Sequence, residues 1–398
     1  MKAILTKSQK QSNNFLPFSI NKFDKEEIHE VVDSLESGWI AAGPKVRRFE
    51  TEFAEYVGAA HAIAVNSATA GLHIALAAQE IGPGDEVITT PMTFCGTIQA
   101  IEYVGATPVF IDVDPVTANI NTSQIEGAVT RRTKAILPIH YAGQPCDMDT
   151  IMDIAMRRGL FVIEDASHAL GARYRGKKIG AIGNATVFSF HSANNMSTGE
   201  GGMIVTNDGV LADKMRMLTL HGISRDVVLR DATAGSWYYE ALELGFNYTM
   251  TDLQAAIGIW QLRKLTEMNQ LRSEYARLYT QAFTSVPEIK TPYINMPSES
   301  RHAWQLYVIK VAEERLNINR SQFIDALKKE GVGTGVHYIP INHHPHYQKK
   351  YGLKPGNFPK AESWYRNCLS LPLYPAMTHE NIEDVINAVQ RIVEANRK

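Results

Sequence analysis

AIAVNSATAGLHIALAAQEIGPGDEVITTP, residues 62–91, decides the fold. AIAVNS reads as a short apolar strand. ATAGLHIALAAQEIG follows with Leu72, Ala75, Leu76 and Ile81 near helical spacing, and PGDE turns the chain into a second apolar strand, EVITTP. Strand, helix and strand in about 30 residues make a crossover unit, and strands apolar on both faces belong to a parallel sheet covered on both sides. The pattern continues outward. TIQAIEYVG (97–105) is helical, PVFIDVD (108–114) a strand, SQIEGAV (123–129) helical and KAILPIH (134–140) a strand. DMDTIMDIAMRRG (147–159) is a helix ending at Gly159, and LFVIEDA (160–166) is a strand. ATVFSF (185–190) and GGMIVTN (201–207) then read as consecutive strands flanking one loop.

Further along, residues 219–248 read as an irregular excursion with an aromatic-rich SWYYEALELGFNY (236–248). Residues 252–283 carry one long helical pattern that links to a smaller α+β unit. Within that unit HAWQLYVIKV (302–311) reads as a strand, SQFIDALKKEG (321–331) as a helix, VGTGVHYIP (332–340) as a strand and ENIEDVINAVQRIVEANRK (380–398) as a terminal helix. The expected division is a large domain with its N-terminal segment over 1–255, then the linking helix and small domain over 256–398.

The chain has 398 residues, 40 basic against 42 acidic, a balance that gives no footprint for nucleic acid or an anionic membrane. Three cysteines, Cys95, Cys146 and Cys368, none in a CxxC pair, do not make a disulfide framework. The opening MKAILTKSQKQSNNFLPFSI is too polar for a signal peptide and no apolar run approaches a membrane span, so a cytoplasmic protein is expected.

In open parallel sheets ligands sit beyond the carboxyl ends of the strands. Five polar stretches fall there: NSATA, TTPMTF, HYAGQP, EDASHA and SFHSANN. In EDASHA, Glu164 and Asp165 end a buried strand, where an unpaired carboxylate is costly. A cationic pyridinium nitrogen would partner Asp165 and become an electron sink; equally, Asp165 could cap a short helix. SATAG (67–71) offers backbone N–H groups at a helix start, with Ser67 and Thr69 hydroxyls, to a phosphate; plain capping explains the same residues. Phe94 could stack on a ring or fill the core. His168 and Ser189, each alone, read as satisfied polar groups. Gly199, Gly201 and Gly202 permit close backbone approach but are common in turns.

Taken together these segments, with ESGWIAAGPKV (36–46), ELGFNYTMTDLQAAIG (243–258), GVGTGVHYIPI (331–341) and LSLPLYP (369–375), resemble the DegT/DnrJ/EryC/StrS nucleotide-sugar aminotransferases from about residue 16 to the terminal helix. SATAG, HYAG and HAW are most similar to the subgroup that makes 4-amino-4-deoxy-arabinose. The resemblance implies the aspartate-aminotransferase fold (PLP fold type I), with a mainly parallel seven-stranded sheet and a smaller α+β C-terminal domain. It implies PLP/PMP as cofactor, L-glutamate/2-oxoglutarate as donor pair, a nucleotide-linked keto sugar as acceptor, and a homodimer with a shared active site. Asp165 would meet the pyridine nitrogen, Phe94 would stack on the ring, and Ala68, Thr69 and Ser189 would hold the phosphate. His168 would lie near the phenolic oxygen, Asn247 would reach the phosphate from the partner subunit, and His337 and Tyr338 would line the sugar-nucleotide cleft.

Two positions depart from the family pattern. SFHxxKN reads SFHSANN, so Asn194 stands where the Schiff-base lysine belongs, and HAWH reads HAWQ, with Gln305. A carboxamide is neither a nucleophile nor a base at neutral pH. The chain as it stands is therefore expected to be severely impaired or inactive in amino transfer while still able to hold PLP noncovalently. The other readings are a non-catalytic paralogue that binds sugar nucleotide or PLP, and a lysine-independent PLP/PMP deoxysugar enzyme such as a dehydratase. Lys177 and Lys178, in RYRGKKIG, read as solvated charges on an exposed turn.

Overall fold

A computed structural model describes residues 15–223 and 239–398. The middle of the 219–248 excursion and the polar opening lie outside the described residues. The central sheet has seven strands: β1 (His61–Val65), β2 (Glu86–Thr89), β3 (Thr107–Phe110), β4 (Thr133–Ile136), β5 (Phe161–Asp165), β8 (Ala185–Ser189) and β9 (Gly202–Thr206). Two short strands, β6 (Arg173–Tyr174) and β7 (Lys177–Lys178), pair in a separate hairpin. The order β1-β9-β8-β5-β4-β2-β3 is parallel except for β9, which runs against both neighbours. The sequence pattern thus gives the strands of a mainly parallel sheet, and the structure adds that the second of the two consecutive strands, β9, is inserted antiparallel between β1 and β8.

Helices Ala68–Ala78, Cys95–Tyr103 and Met148–Arg158 form the crossovers, the last ending on Gly159 at φ 63°. Gly71 brings the first of these against the sheet. A Cβ there would sit 2.8 Å from Val187 Cγ1 and 3.3 Å from Ile204 Cγ1 and Val65 Cγ2. In Gly71→Ala the gain in helix propensity, about 1 kcal/mol, is outweighed by overpacking of about 1–3 kcal/mol. The denaturation midpoint of that variant is expected to fall.

The 252–283 pattern is one helix, Asp252–Phe283, opened by a capping box between Thr251 and Gln254. Ala255, Ile259, Leu262 and Leu265 belong to the large core, whereas Tyr275, Ala276, Tyr279 and Phe283 belong to a second core. Over that second core lies an antiparallel sheet of β10 (Ile289–Lys290), β11 (Tyr307–Val311) and β12 (Cys368–Leu371), with helices Arg320–Lys329 and His379–Asn396.

Two expectations are corrected. VGTGVHYIP is not a strand; it makes only single bridges, Val332 to Leu16 and Gly335 to Ser370. Its glycines let it pass close to Phe18 instead of joining a ladder: a Cβ on Gly333 would lie 2.8 Å from the Phe18 backbone nitrogen, and one on Gly335 would meet the segment's own His337 ring at 2.7 Å and the Phe18 ring at 3.5 Å. Lys178 is not a solvated charge. It is half-buried in β7, with its amine 3.5 Å above the Tyr56 ring, and burial lowers its pKa.

Candidate active site

At the carboxyl ends of β1, β2, β5 and β8 a cavity of about 460 Å³ opens between the two cores. Ala68, Thr69, Phe94, Asp165, His168, Ser189, Asn194, His337 and Tyr338 all line it. Asn247 does not line the cavity of its own chain. It is exposed, bridged to Leu220, and its carbonyl accepts from Asn66 Nδ2 at 3.5 Å.

Asp165 ends β5 and is 5% exposed. Its Oδ1 accepts from the Ser167 hydroxyl at 2.6 Å and the Ser167 N–H at 3.1 Å, while Oδ2 accepts from the Thr97 hydroxyl at 2.8 Å. The Asp165 side chain thus closes a turn onto Ser167 and starts no helix, so helix capping is not its role. Its three donors are neutral, which leaves a buried carboxylate facing the cavity with room for a cation. Thr97 donates to Asp165 and so accepts from the Thr93 hydroxyl, 2.8 Å away.

Opposite lies the start of helix Ala68–Ala78. Ser67 caps it by accepting from the Ala70 N–H at 3.1 Å, and the Ala68 and Thr69 N–H groups have no partner within the helix. No acidic residue occupies that first turn. Gly96 keeps the space beside it open, since a Cβ there would fall 2.5 Å from Thr69 Oγ1. Donors at one end, a carboxylate at the other, and Phe94, 61% exposed, beside them make a cradle for a flat, phosphorylated, cationic ring.

His168 accepts the Ala142 N–H on Nδ1 at 3.3 Å, so its proton is on Nε2, donated to Tyr338 Oη at 2.8 Å. Burial pulls its pKa down to about 4. Burial also takes His302 and His337 to about 3, His168 adding to the effect at His337. All three are neutral in the folded protein at pH 7, whereas in the unfolded chain each titrates near 6.5. As pH falls below about 6.5 the unfolded state takes up protons the folded state refuses, so stability is full above that value and is lost toward pH 4. Three such groups give a slope of about 4 kcal/mol per pH unit. Denaturant midpoints between pH 7.5 and 5 are expected to fall accordingly, and His302→Asn to remove about a third of the slope.

Asn194 lies in the β8–β9 loop. Gln305 Nε2 donates both to the Ala193 carbonyl and, at 3.2 Å, to Asn194 Oδ1. Asn194 and Gln305, the two positions singled out in the sequence, are therefore in contact. Among the described residues no lysine lines the cavity. The bond from Thr97 to Asp165 and the contact made by Gln305 were not legible as site features, because each joins residues distant in sequence, 68 and 111 positions apart; Thr93 and Ser167 act on near neighbours, but their hydroxyls carry no signature of their own in the sequence.

The family model for the DegT/DnrJ/EryC1/StrS aminotransferase family matches residues 21–390. The chain belongs to this family. It is 51% identical over 383 residues to the spore coat polysaccharide biosynthesis protein SpsC of Bacillus subtilis, covering 96% of this chain and 98% of that protein. Among solved structures it is similar to Spr1654 from Streptococcus pneumoniae in its PMP form (TM-score 0.90, 32% identity, 96% and 99% of the two chains). It is also similar to Helicobacter pylori PseC, an aminotransferase involved in the biosynthesis of pseudoaminic acid (TM-score 0.88, 29% identity, 96% and 100%). Spr1654 is also solved in a PLP form. The fold is that of the family's PLP-type aminotransferases, with the expected seven-stranded, mainly parallel sheet and small C-terminal domain.

Proposed function

We propose that this is a sugar aminotransferase scaffold for a nucleotide-linked keto sugar, with L-glutamate as donor, in which Asn194 stops turnover. The observation that carries the reading is the cradle itself: Asp165, the Ala68–Thr69 donors and Asn194 all line one cavity. PLP or PMP is the cofactor, and when bound it supplies the electron sink for bonds at the amino-bearing carbon.

Asp165 holds the ring nitrogen in its charged form, with Thr97 and Ser167 fixing the carboxylate's direction. The Ala68 and Thr69 N–H groups and the Thr69 and Ser189 hydroxyls bind the phosphate, and Phe94 covers a ring face. His168, neutral and donating through Nε2, orients Tyr338, which with His337 walls the side where the sugar enters. Asn247 completes the phosphate site of a second copy in a homodimer. What is missing is an amine able to hold the cofactor covalently and to carry a proton. A cytoplasmic location is part of this reading; among the described residues no helix is long and apolar enough to cross a membrane.

The test is covalent labelling. After PLP and borohydride, peptide mass analysis is expected to find no cofactor mass on the 188–202 peptide of the native chain and one on that peptide in Asn194→Lys. PLP that binds neither protein would refute the cofactor site; binding without labelling of the variant would favour the non-catalytic paralogue.

A further inference from the structure

The contact between Asn194 and Gln305 determines which end of the Asn194 carboxamide the cavity meets. The Ala193 carbonyl can only accept, so the group of Gln305 that faces it is the amide nitrogen, Nε2. The same Nε2 reaches Asn194 Oδ1 at 3.2 Å, so the Asn194 oxygen is turned toward Gln305. Asn194 Nδ2 then remains, and it has no acceptor among the described residues, while Asn194 lines the cavity. The alternative orientation of Gln305 would set its Oε1 against the Ala193 oxygen. Gln305 itself is nine-tenths buried, and Oε1 has no partner among the described residues, which marks an amide held by its nitrogen alone.

We propose that Gln305 is a positioning residue that turns the Asn194 NH₂ into the cavity, making position 194 a hydrogen-bond donor for a ligand oxygen. The inference rests on the PLP-site reading above and deepens it. A site with a nucleophilic amine takes a carbonyl ligand by forming a bond to it. A site with a fixed carboxamide donor instead holds the carbonyl intact, through its oxygen, and disfavours a ligand that brings an amino group to the same place. The two departures from the family pattern are then one matched change: Asn194 supplies the donor, and Gln305, unlike a side chain without an N–H at that point, keeps it aimed.

The probes are PLP, which carries an aldehyde oxygen, and PMP, which carries an amine in its place. Dissociation constants for both are measured by equilibrium dialysis with native protein, Asn194→Asp and Gln305→Leu. The readout is the ratio Kd(PMP)/Kd(PLP), in which contacts common to both ligands cancel. Asn194→Asp keeps the bond from Gln305 but leaves only an acceptor facing the cavity, so the ratio is expected to fall by about 5- to 150-fold, the worth of one hydrogen bond lost and one gained. Gln305→Leu frees the Asn194 amide to turn, and the ratio is expected to fall about two- to fivefold in the same direction. If Gln305→Leu weakens both ligands together and keeps the ratio, Gln305 is only structural and the proposal is overturned. It is overturned equally if Asn194→Asp, an exchange on a part-exposed loop residue, leaves the ratio unchanged. If neither ligand binds native protein, the PLP-site reading itself fails, an outcome distinct from equal binding of both.

Discussion

Asn194→Lys is expected to raise the rate of amino transfer from L-glutamate by on the order of 10²–10⁴-fold, the range a positioned acid–base group contributes. The rest of the site supports so large a change from one residue. Asp165 keeps its three donors, the helix start at Ala68 keeps its free N–H groups, and Gly96 keeps the cradle open. None of these depends on the side chain at 194. Single-turnover conversion of PLP-loaded protein by L-glutamate, followed by absorbance, measures the effect. A gain under tenfold would mean that more than the lysine is missing, and the non-catalytic paralogue would become the better account of the chain.

How far the sequence shows all this depends on the kind of interaction. The sheet was legible because each strand and crossover carries its own pattern, and the helix Asp252–Phe283 because one long helical pattern runs through it. Helix Lys25–Ser37 was not. Its buried residues are Glu27 and Ser34, while Ile28 and Leu35 are more than half exposed, so its apolar pattern points away from the chain's own core. VGTGVHYIP carries strand-forming residues, but it makes only single bridges, to Leu16 and Ser370, and its glycines pack against Phe18. At the site, residue types and their order marked nine lining positions. The contact of Asn194 with Gln305, 111 residues apart, and the donation of Thr97 to Asp165, 68 apart, exist only in three dimensions.

Glu164 is where the sequence left two carboxylates side by side, and strand geometry separates them. Successive side chains of β5 point to opposite faces, so Glu164 and Asp165 cannot share a role. Asp165 faces the cavity; Glu164 is fully buried and accepts from the Gly183 N–H at 2.8 Å, the Thr186 hydroxyl at 2.7 Å and His140 Nε2 at 2.8 Å. His140 Nδ1 accepts the Cys146 N–H at 3.0 Å, so the imidazole proton is committed to Nε2 and to Glu164. Glu164→Leu leaves three buried donors without an acceptor, and a loss of about 3–5 kcal/mol is expected. Glu164→Gln keeps the shape but sets its NH₂ against one of those donors. His140 cannot relieve that clash by moving its proton, because the Cys146 N–H would then face a second N–H. The expected loss is about 2–3 kcal/mol, less than for leucine. Denaturant unfolding of both variants gives the comparison. Losses below about 1 kcal/mol for both would show that the buried network does not hold the end of β5, and a glutamine variant worse than leucine would show that shape is not what it preserves. With the expected order, β5 is pinned from beneath by Glu164 so that Asp165, one residue on, can keep an unneutralised carboxylate turned to the cavity.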